Sequence, residues 1–274
     1  MLTKVARYRL QYASNFHISG KIQVPFTQYL NPVPKTDLAL LGNIGQPNPE
    51  LAKFFHWCQT KYPATFWVPG NLELCSSVDA KQDIHEKPEL LRRWLKKQKL
   101  DRVYLMTKRR IDMHGPNITI LGTNMIDPPL EVGGKKLYRL QNGLLEPMSA
   151  DTIAAIQKDE SEWLIRNVRQ SPNQCVCLLG NEIRFAPNRW YNYSSVSAQL
   201  FGAVPGLKPQ TFTGRSSARE PWVGVNMYGH SGYNPSAFIE IVDIVSEAEE
   251  MEARIYDSLC NSTPPELRPL KPMR

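Results

Sequence analysis

Short polar motifs recur along this chain, each directly after an apolar segment. They are Ser14-Asn15-Phe16-His17, Gly42-Asn43-Ile44-Gly45, Gly70-Asn71-Leu72-Glu73, Gly180-Asn181-Glu182 and Gly229-His230-Ser231-Gly232. In open α/β sheets, residues that follow the carboxyl ends of the strands line the ligand site. Amide, imidazole and carboxylate groups gathered there could hold a metal ion, or bind a phosphate or nucleotide. The recurrence therefore predicts one convergent polar pocket.

The elements that would position these motifs are short apolar strands alternating with helices. The pattern predicts strands over 8–13, 37–41, 65–68, 103–106, 118–121, 175–179, 222–227 and 238–245, and helices over 48–60, 87–99, 151–167 and 247–260. Wholly apolar strands are typical of sheets covered on both faces. The alternation predicts an α/β layered fold. Residues 127–147 and 184–221 show neither period, and we expect long loops there.

Four of the motifs resemble, in order, those of the calcineurin-like metallophosphoesterases. That family carries D-x-H, G-D, G-N-H-[DE] and G-H-x-H. Residues 12–17 resemble its V-S-D-L-H, 40–44 its L-A-G-D-I, 68–73 its V-P-G-N-H-E, and 229–232 its G-H-T-H. Ile120-Leu121-Gly122-Thr123 is similar to a further family strand, F-L-G-T. The resemblance spans roughly residues 7–245 and implies a four-layer α/β/β/α sandwich of two mixed sheets flanked by helices.

The resemblance also implies where the family's two-metal site would lie. Family members use two divalent metals such as manganese, iron or zinc. The corresponding pocket positions here are Asn15, His17, Asn43, Asn71, Leu72, Asn181, His230 and Gly232. Of these, His17, Asn71 and His230 keep the family's residue, and Asn181 falls near the position of a further family histidine.

Four replacements remove what two-metal hydrolysis needs. By the resemblance, Asn15 and Asn43 replace aspartate ligands, the second of which bridges both metals. Leu72 replaces a histidine that helps to stabilise the phosphoryl group, and Gly232 replaces the last histidine of G-H-x-H. Two dications about 3.5–4 Å apart repel strongly unless carboxylates lie between them. We therefore expect a pseudoenzyme without a metal or other cofactor, acting as a binding or scaffold component of a larger assembly.

Other interpretations of the same residues stay open. A weak phosphoesterase could use a reduced metal site, with one cation on His17 and His230. The asparagines could instead cap turns and helix starts, or form a neutral pocket that binds phosphate without cleaving it. Glu73 is expected to be structural, whereas Glu182 is a candidate replacement ligand. Metal binding discriminates between the enzyme and the scaffold, because only the enzyme requires a cation.

The composition indicates which partners and which compartment suit the chain. The net charge is +7, which favours contact with nucleic acid or another acidic partner. Basic residues are densest between 92 and 110, a pattern that is also typical of a solvated helix face. No apolar run reaches the roughly 18 residues of a membrane span, and the N-terminus does not resemble a secretory signal. Five scattered cysteines predict reduced thiols and an intracellular, reducing (cytoplasmic) location.

We expect one domain over residues 1–260, followed by an extended Pro-rich arm over 261–274. The arm and the two long loops are the segments expected to contact protein partners in an assembly. A virion is one such assembly, because metallophosphoesterase-like proteins are frequent in large DNA viruses.

Overall fold

The computed structural model describes residues 3–18, 24–113, 117–126, 131–132, 135–180, 196–202, 222–228 and 233–246. The helices are α1 (Pro49–Lys61), α2 (Asn71–Leu74), α3 (Lys87–Lys97) and α4 (Ala150–Gln170), with 3-10 turns at Phe26–Gln28 and Val78–Ala80. The strands are β1 (Thr3–Ala13), β2 (Asp37–Leu41), β3 (Thr65–Val68), β4 (Val103–Leu105), β5 (Arg109–Asp112), β6 (Ile118–Thr123), β7 (Glu131–Val132), β8 (Lys135–Lys136), β9 (Tyr138–Gln141), β10 (Leu144–Pro147), β11 (Gln174–Leu179), β12 (Val196–Phe201), β13 (Trp222–Val225) and β14 (Phe238–Ser246).

Two five-stranded mixed sheets carry the fold. The first has the order β14-β1-β2-β3-β4, with β1 to β4 parallel and β14 antiparallel to β1. The second has the order β13-β12-β11-β6-β5, with β5 antiparallel and the other four parallel. The predicted α/β class is confirmed, as is the presence of two mixed sheets. Parallel order places the carboxyl ends of β1, β2 and β3 at one edge, and those of β6, β11 and β12 likewise.

One apolar cluster contains residues of both sheets. Its members include Leu10, Leu41, Phe66 and Val68 from the first sheet, and Ile118, Ile120, Val176, Leu178 and Leu200 from the second. The opposite face of the first sheet packs on α1 and α3 through a second cluster that includes Leu40, Trp67, Phe54, Phe55 and Leu91. The opposite face of the second sheet packs on α4 through Leu121, Cys177, Leu179, Leu164 and Val168. Cover on both faces explains why β2, β3 and β6 are buried throughout.

Most of the predicted elements are confirmed within a few residues of their expected ends. In α1, the side chain of Asn48 accepts a hydrogen bond from the N–H of Leu51 at 2.8 Å, and Pro49 occupies the first turn. Cys58, Cys75, Cys175 and Cys177 are buried and free, as predicted for reduced thiols. No helix of the described part of the chain is long and apolar enough to cross a membrane. The predicted helix 247–260 and the arm 261–274 lie outside the described residues, as does Cys260.

The prediction of a structureless loop over 127–147 was wrong for the part that the structure describes, residues 131–132 and 135–147, whereas residues 127–130 and 133–134 lie outside it. Residues 138–147 form the β9–β10 hairpin, and β7 and β8 pair just before it. The hairpin turns at Asn142 and Gly143, whose φ values are 50° and 79°. Positive φ at both central residues suits a tight hairpin turn, and Asn-Gly is the pair that adopts it most readily. The flanking strands show no clear alternation, which is why the pattern did not predict them.

The loop predicted over 184–221 was wrong in part. Residues 196–201 form β12, which lies between β11 and β13 in the second sheet. Its sequence includes Ser197 and Gln199, so it does not read as an apolar run, although Gln199 is buried at 3% exposure. Residues 184–195 and 203–221 lie outside the described part of the chain.

Candidate functional site

The polar motifs that follow β1, β2 and β3 meet at one edge of the first sheet. The N–H of Asn15 donates to the carbonyl of Gly42 at 3.1 Å, and the N–H of His17 donates to the carbonyl of Asn43 at 3.0 Å. Asn15, His17 and Asn43 all have left-handed backbones, with φ of 61°, 51° and 54°. Asparagine tolerates this conformation better than most residues. The two loops therefore run side by side and present the Asn15 and Asn43 side chains to each other.

These side chains form a continuous chain of hydrogen bonds, which we call the amide chain. The N–H of Leu72 donates to Asn43 Oδ1 at 3.0 Å, and Asn43 Nδ2 donates to Asn15 Oδ1 at 2.9 Å. Asn15 Nδ2 then donates to the carbonyl of Gly202, at the end of β12, at 3.5 Å. Because a backbone N–H can only donate and a carbonyl can only accept, the two ends fix the orientation of both amides.

Glu73 lies buried beneath the amide chain, with 1% of its surface exposed. Its carboxylate accepts hydrogen bonds from the N–H groups of Gly70, Asn43 and Gly45, at 2.7, 3.0 and 2.8 Å. Burial raises the pKa of Glu73 to about 7, and the hydrogen bonds from these N–H groups act in the opposite direction. Glu73 thus joins the loop after β2 to the loop after β3.

Four glycines bring the ends of the two sheets into backbone contact, and we call them the glycine seam: Gly42, Gly70, Gly180 and Gly202. A Cβ on Gly42 would lie 2.6 Å from the carbonyl oxygen of Gly180. A Cβ on Gly202 would overlap the carbonyl oxygens of Leu41 and Gly180. A side chain at these positions would therefore push the strand ends apart.

The segment leading to Gly229 is anchored by Ser14 and Asn226. The N–H of Ser14 donates to the carbonyl of Asn226, and the N–H of Tyr228 donates to the carbonyl of Ser14, both at 3.0 Å. The hydroxyl of Ser14 donates to the carbonyl of Gly202 at 2.5 Å. Asn226 is 1% exposed, and its amide donates to the carbonyls of Tyr12 and Asn234, each at 2.8 Å. Sequence reasoning missed Asn226 and Gly202, because neither belongs to a motif.

The structure places the remaining predicted pocket residues as follows. His17 is exposed by its accessible surface, and the partial screening of its imidazole from water lowers its pKa. Asn71 and Leu72 begin α2, where Asn71 is buried. Asn181, His230 and Gly232 lie outside the described residues, as does Glu182. Within the described ranges, no group of three or more His, Cys, Asp or Glu side chains is arranged to hold a metal ion.

A second buried carboxylate lies at the end of β6. Glu160 of α4 is 3% exposed and accepts a hydrogen bond from the N–H of Met125 at 2.6 Å. Met125 has a φ of 46°. Burial raises the pKa of Glu160 to about 7, whereas its bond from Met125 and the nearby Lys108 act to lower it. Glu160 therefore holds the loop after β6 against α4. Sequence reasoning missed Glu160, although a glutamate on the apolar face of an amphipathic helix is the signal that could have found it.

No protein-family model and no curated protein sequence matches this chain. Among solved structures, the chain is similar in fold to the phosphopantetheinyl hydrolase from Mycobacterium tuberculosis, with a TM-score of 0.52. The match covers 86% of this chain and 96% of that one, at 12% sequence identity. At such identity the likeness concerns the fold.

Proposed function

We propose that this chain is a metallophosphoesterase-like pseudoenzyme that serves as a non-catalytic binding or scaffold component of a larger assembly. The fold part of the proposal is a four-layer α/β/β/α sandwich. It is supported by the apolar cluster common to both sheets and by the packing of α1 and α3 on one outer face and α4 on the other. The fold likeness to a phosphopantetheinyl hydrolase, which spans nearly all of that protein, also supports it.

The functional part of the proposal, the absence of catalysis, rests on the amide chain. Asn15 and Asn43 stand where the resembling family has carboxylate ligands, and here their side chains bind each other. The Oδ1 atom of each residue already accepts a hydrogen bond, from Leu72 N–H and from Asn43 Nδ2. The Nδ2 atom of Asn15 faces a carbonyl, and an amide nitrogen carrying two hydrogens is no metal ligand.

These residues do not fit a two-metal centre. Divalent hard cations are held by oxygen donors, and carboxylates supply the charge that keeps two such cations together. The amide chain is neutral, and each of its oxygens already accepts a hydrogen bond that holds the loops in place. A cation placed there would compete with these hydrogen bonds and would gain no carboxylate from the amide chain itself. We therefore derive no hydrolytic step for this site.

Metal stoichiometry tests the proposal directly. The full-length protein would be incubated with excess manganese, desalted and subjected to elemental analysis. We expect less than about a tenth of a manganese per chain, since the amide chain offers no charged ligand. The same preparation should not hydrolyse bis-p-nitrophenyl phosphate above the rate of a matched His17→Ala variant.

A stoichiometry near one or two would contradict the pseudoenzyme. If the His17→Ala substitution then removed both the manganese and the hydrolysis, the weak phosphoesterase with a reduced metal site would be the correct function. Manganese retained by the His17→Ala variant would place the cation elsewhere and would also contradict the proposal.

The partners proposed for the scaffold are proteins of the same assembly, contacted through the long segments and the C-terminal arm. Residues 184–195, 203–221 and 261–274 lie outside the described part of the chain, so this proposal rests on their length and composition. A virion is one assembly that would fit, and an intracellular location suits the buried free thiols.

A further inference from the structure

One side of the molecule is formed by the outer strands of both sheets. β4 is the last strand of the first sheet, and β5 is the last strand of the second. The chain passes directly from one to the other through residues 106–108, so the end of β4 lies near the start of β5. The helix α3 packs against β4. Residues 92–110, which run from α3 through β4 to the start of β5, contain nine lysines and arginines and a single carboxylate, Asp101.

Some of these cations are neutralised within the fold. Arg92 and Arg93 pair with Glu89, Lys108 with Asp159, and Arg110 with Asp112. The other five, which we call the basic edge, are Lys96, Lys97, Lys99, Arg102 and Arg109. Within the described part of the chain, no carboxylate pairs with any of the five. All five are exposed.

Arg109 is held in place although no carboxylate binds it. Its guanidinium lies 5.4 Å from the centre of the Tyr104 ring, a cation–π arrangement. Partial burial, together with the positive charge of nearby Arg92, lowers the pKa of Arg109. The guanidinium stays charged at neutral pH. Arg109 therefore offers an anion a positioned positive charge at the start of β5.

The chemistry of this surface favours a polyphosphate over a protein partner. The central parts of protein–protein interfaces are rich in aromatic and apolar side chains and poor in lysine. Of the described residues, the large apolar side chains that are exposed are Leu140 and Leu144, on the β9–β10 hairpin and outside the basic edge. Phosphate contacts require only positioned cations, and their free energy comes from the release of counterions. We propose that the basic edge binds the sugar–phosphate backbone of a polynucleotide, independently of the pocket at the strand ends.

Fluorescence anisotropy with the full-length protein tests this site. The probes are labelled single-stranded and duplex RNA and DNA of one sequence, about 20 nucleotides long, titrated from about 50 to 200 mM salt. We expect at least one of these four probes to bind, with an affinity that falls steeply as the salt concentration rises. The probe that binds most tightly identifies the kind of nucleic acid. Changing Lys96, Lys97 and Arg102 together to glutamine should weaken that binding at least about tenfold and reduce the salt slope by about 2.

A matched control removes the same charge elsewhere. Lys53, Lys81 and Arg139 are exposed and lie outside residues 92–110, and changing all three to glutamine also lowers the net charge by three. We expect less than about a threefold loss of affinity, since these cations act only at long range. Equal losses in the two variants would overturn the assignment to the basic edge. So would the absence of binding for all four probes at about 50 mM salt, or equally tight binding of a polyglutamate peptide.

Discussion

At the amide chain, the side-chain nitrogen of each asparagine determines whether the hydrogen bonds can form. Asparagine both donates and accepts, so Asn15 can accept from Asn43 and donate to the carbonyl of Gly202. An ionised aspartate only accepts. At position 15 it would set a charged oxygen against a carbonyl oxygen that now receives a donor. The hydrogen bonds of the amide chain therefore require an asparagine that can donate as well as accept. Its role here is structural and is not only that of a poor metal ligand.

Asn15→Asp should therefore destabilise the protein at neutral pH. We expect the free energy of unfolding to fall by about 1 kcal/mol, because a half-buried polar group is left facing a like partner. Repulsion by the Gly202 carbonyl raises the folded-state pKa of the introduced carboxyl group above its unfolded value of about 3.9. The loss is then small below about pH 4 and grows as the pH rises through the unfolded and then the folded pKa. Urea unfolding at several pH values measures it.

Asn31→Asp is the matched control for this change. Asn31 is exposed, and its amide donates to the hydroxyl of Ser236 at 2.9 Å. That hydroxyl can turn and donate instead, so the substitution should change the unfolding free energy by less than about 0.5 kcal/mol. A pH-independent loss at position 15, or an equal loss at position 31, would contradict the direction assigned to the amide chain.

The two buried glutamates should make stability depend on pH. Burial raises the pKa of Glu73 and of Glu160 to about 7, from 4.5. Between these values the unfolded state loses its proton first, so the free energy of unfolding should fall as the pH rises from about 4.5 to about 7. Glu73→Gln and Glu160→Gln should each flatten this dependence. The exposed Glu146 provides a control, since Glu146→Gln should leave the slope unchanged.

At the scale of elements, the glycine seam sets how closely the two sheets approach. Gly202→Ala should lower the free energy of unfolding by about 3 kcal/mol, because the new methyl group overlaps backbone atoms that cannot rotate away. Gly143→Ala provides a comparison, because there the added methyl group would strain only the backbone conformation and would not contact other atoms. Gly143 has a φ of 79° and open space around it, so we expect a cost of about 1 kcal/mol. Thermal unfolding of both variants gives the comparison, and equal costs would argue against close contact at the seam.

The elements differ in how far the sequence could predict them. β2 and β3 were predicted to the residue because they are short, apolar and bounded by turn residues. β12 and the β9–β10 hairpin escaped prediction, because a polar residue inside a buried strand and a hairpin with exposed leucines both break the usual alternation. Asn15 and Asn43 could be selected from their motifs. Their connection to Gly202 could not, because it depends on how two sheets meet, which local patterns do not encode.

At the scale of the whole molecule, the two sheets share one core. Residues from β1, β3, β11 and β12 belong to the same apolar cluster, so neither sheet can bury its inner face without the other. Ser14 and Asn15 both bind the carbonyl of Gly202, so polar contacts connect the sheets where the apolar cluster ends. The strand ends that carry the amide chain are therefore continuous with the core that the two sheets share.

The pairing of β1 with β14 has a consequence for synthesis on the ribosome. β1 is paired from Thr3↔Ser246 to Gln11↔Phe238, so β1 is synthesised long before the strand that covers its edge. Until then, the nascent chain would expose an open strand edge, and contacts so distant in sequence form slowly. A chaperone that shields β1 during translation would therefore have the interval between the synthesis of β1 and that of β14 in which to act.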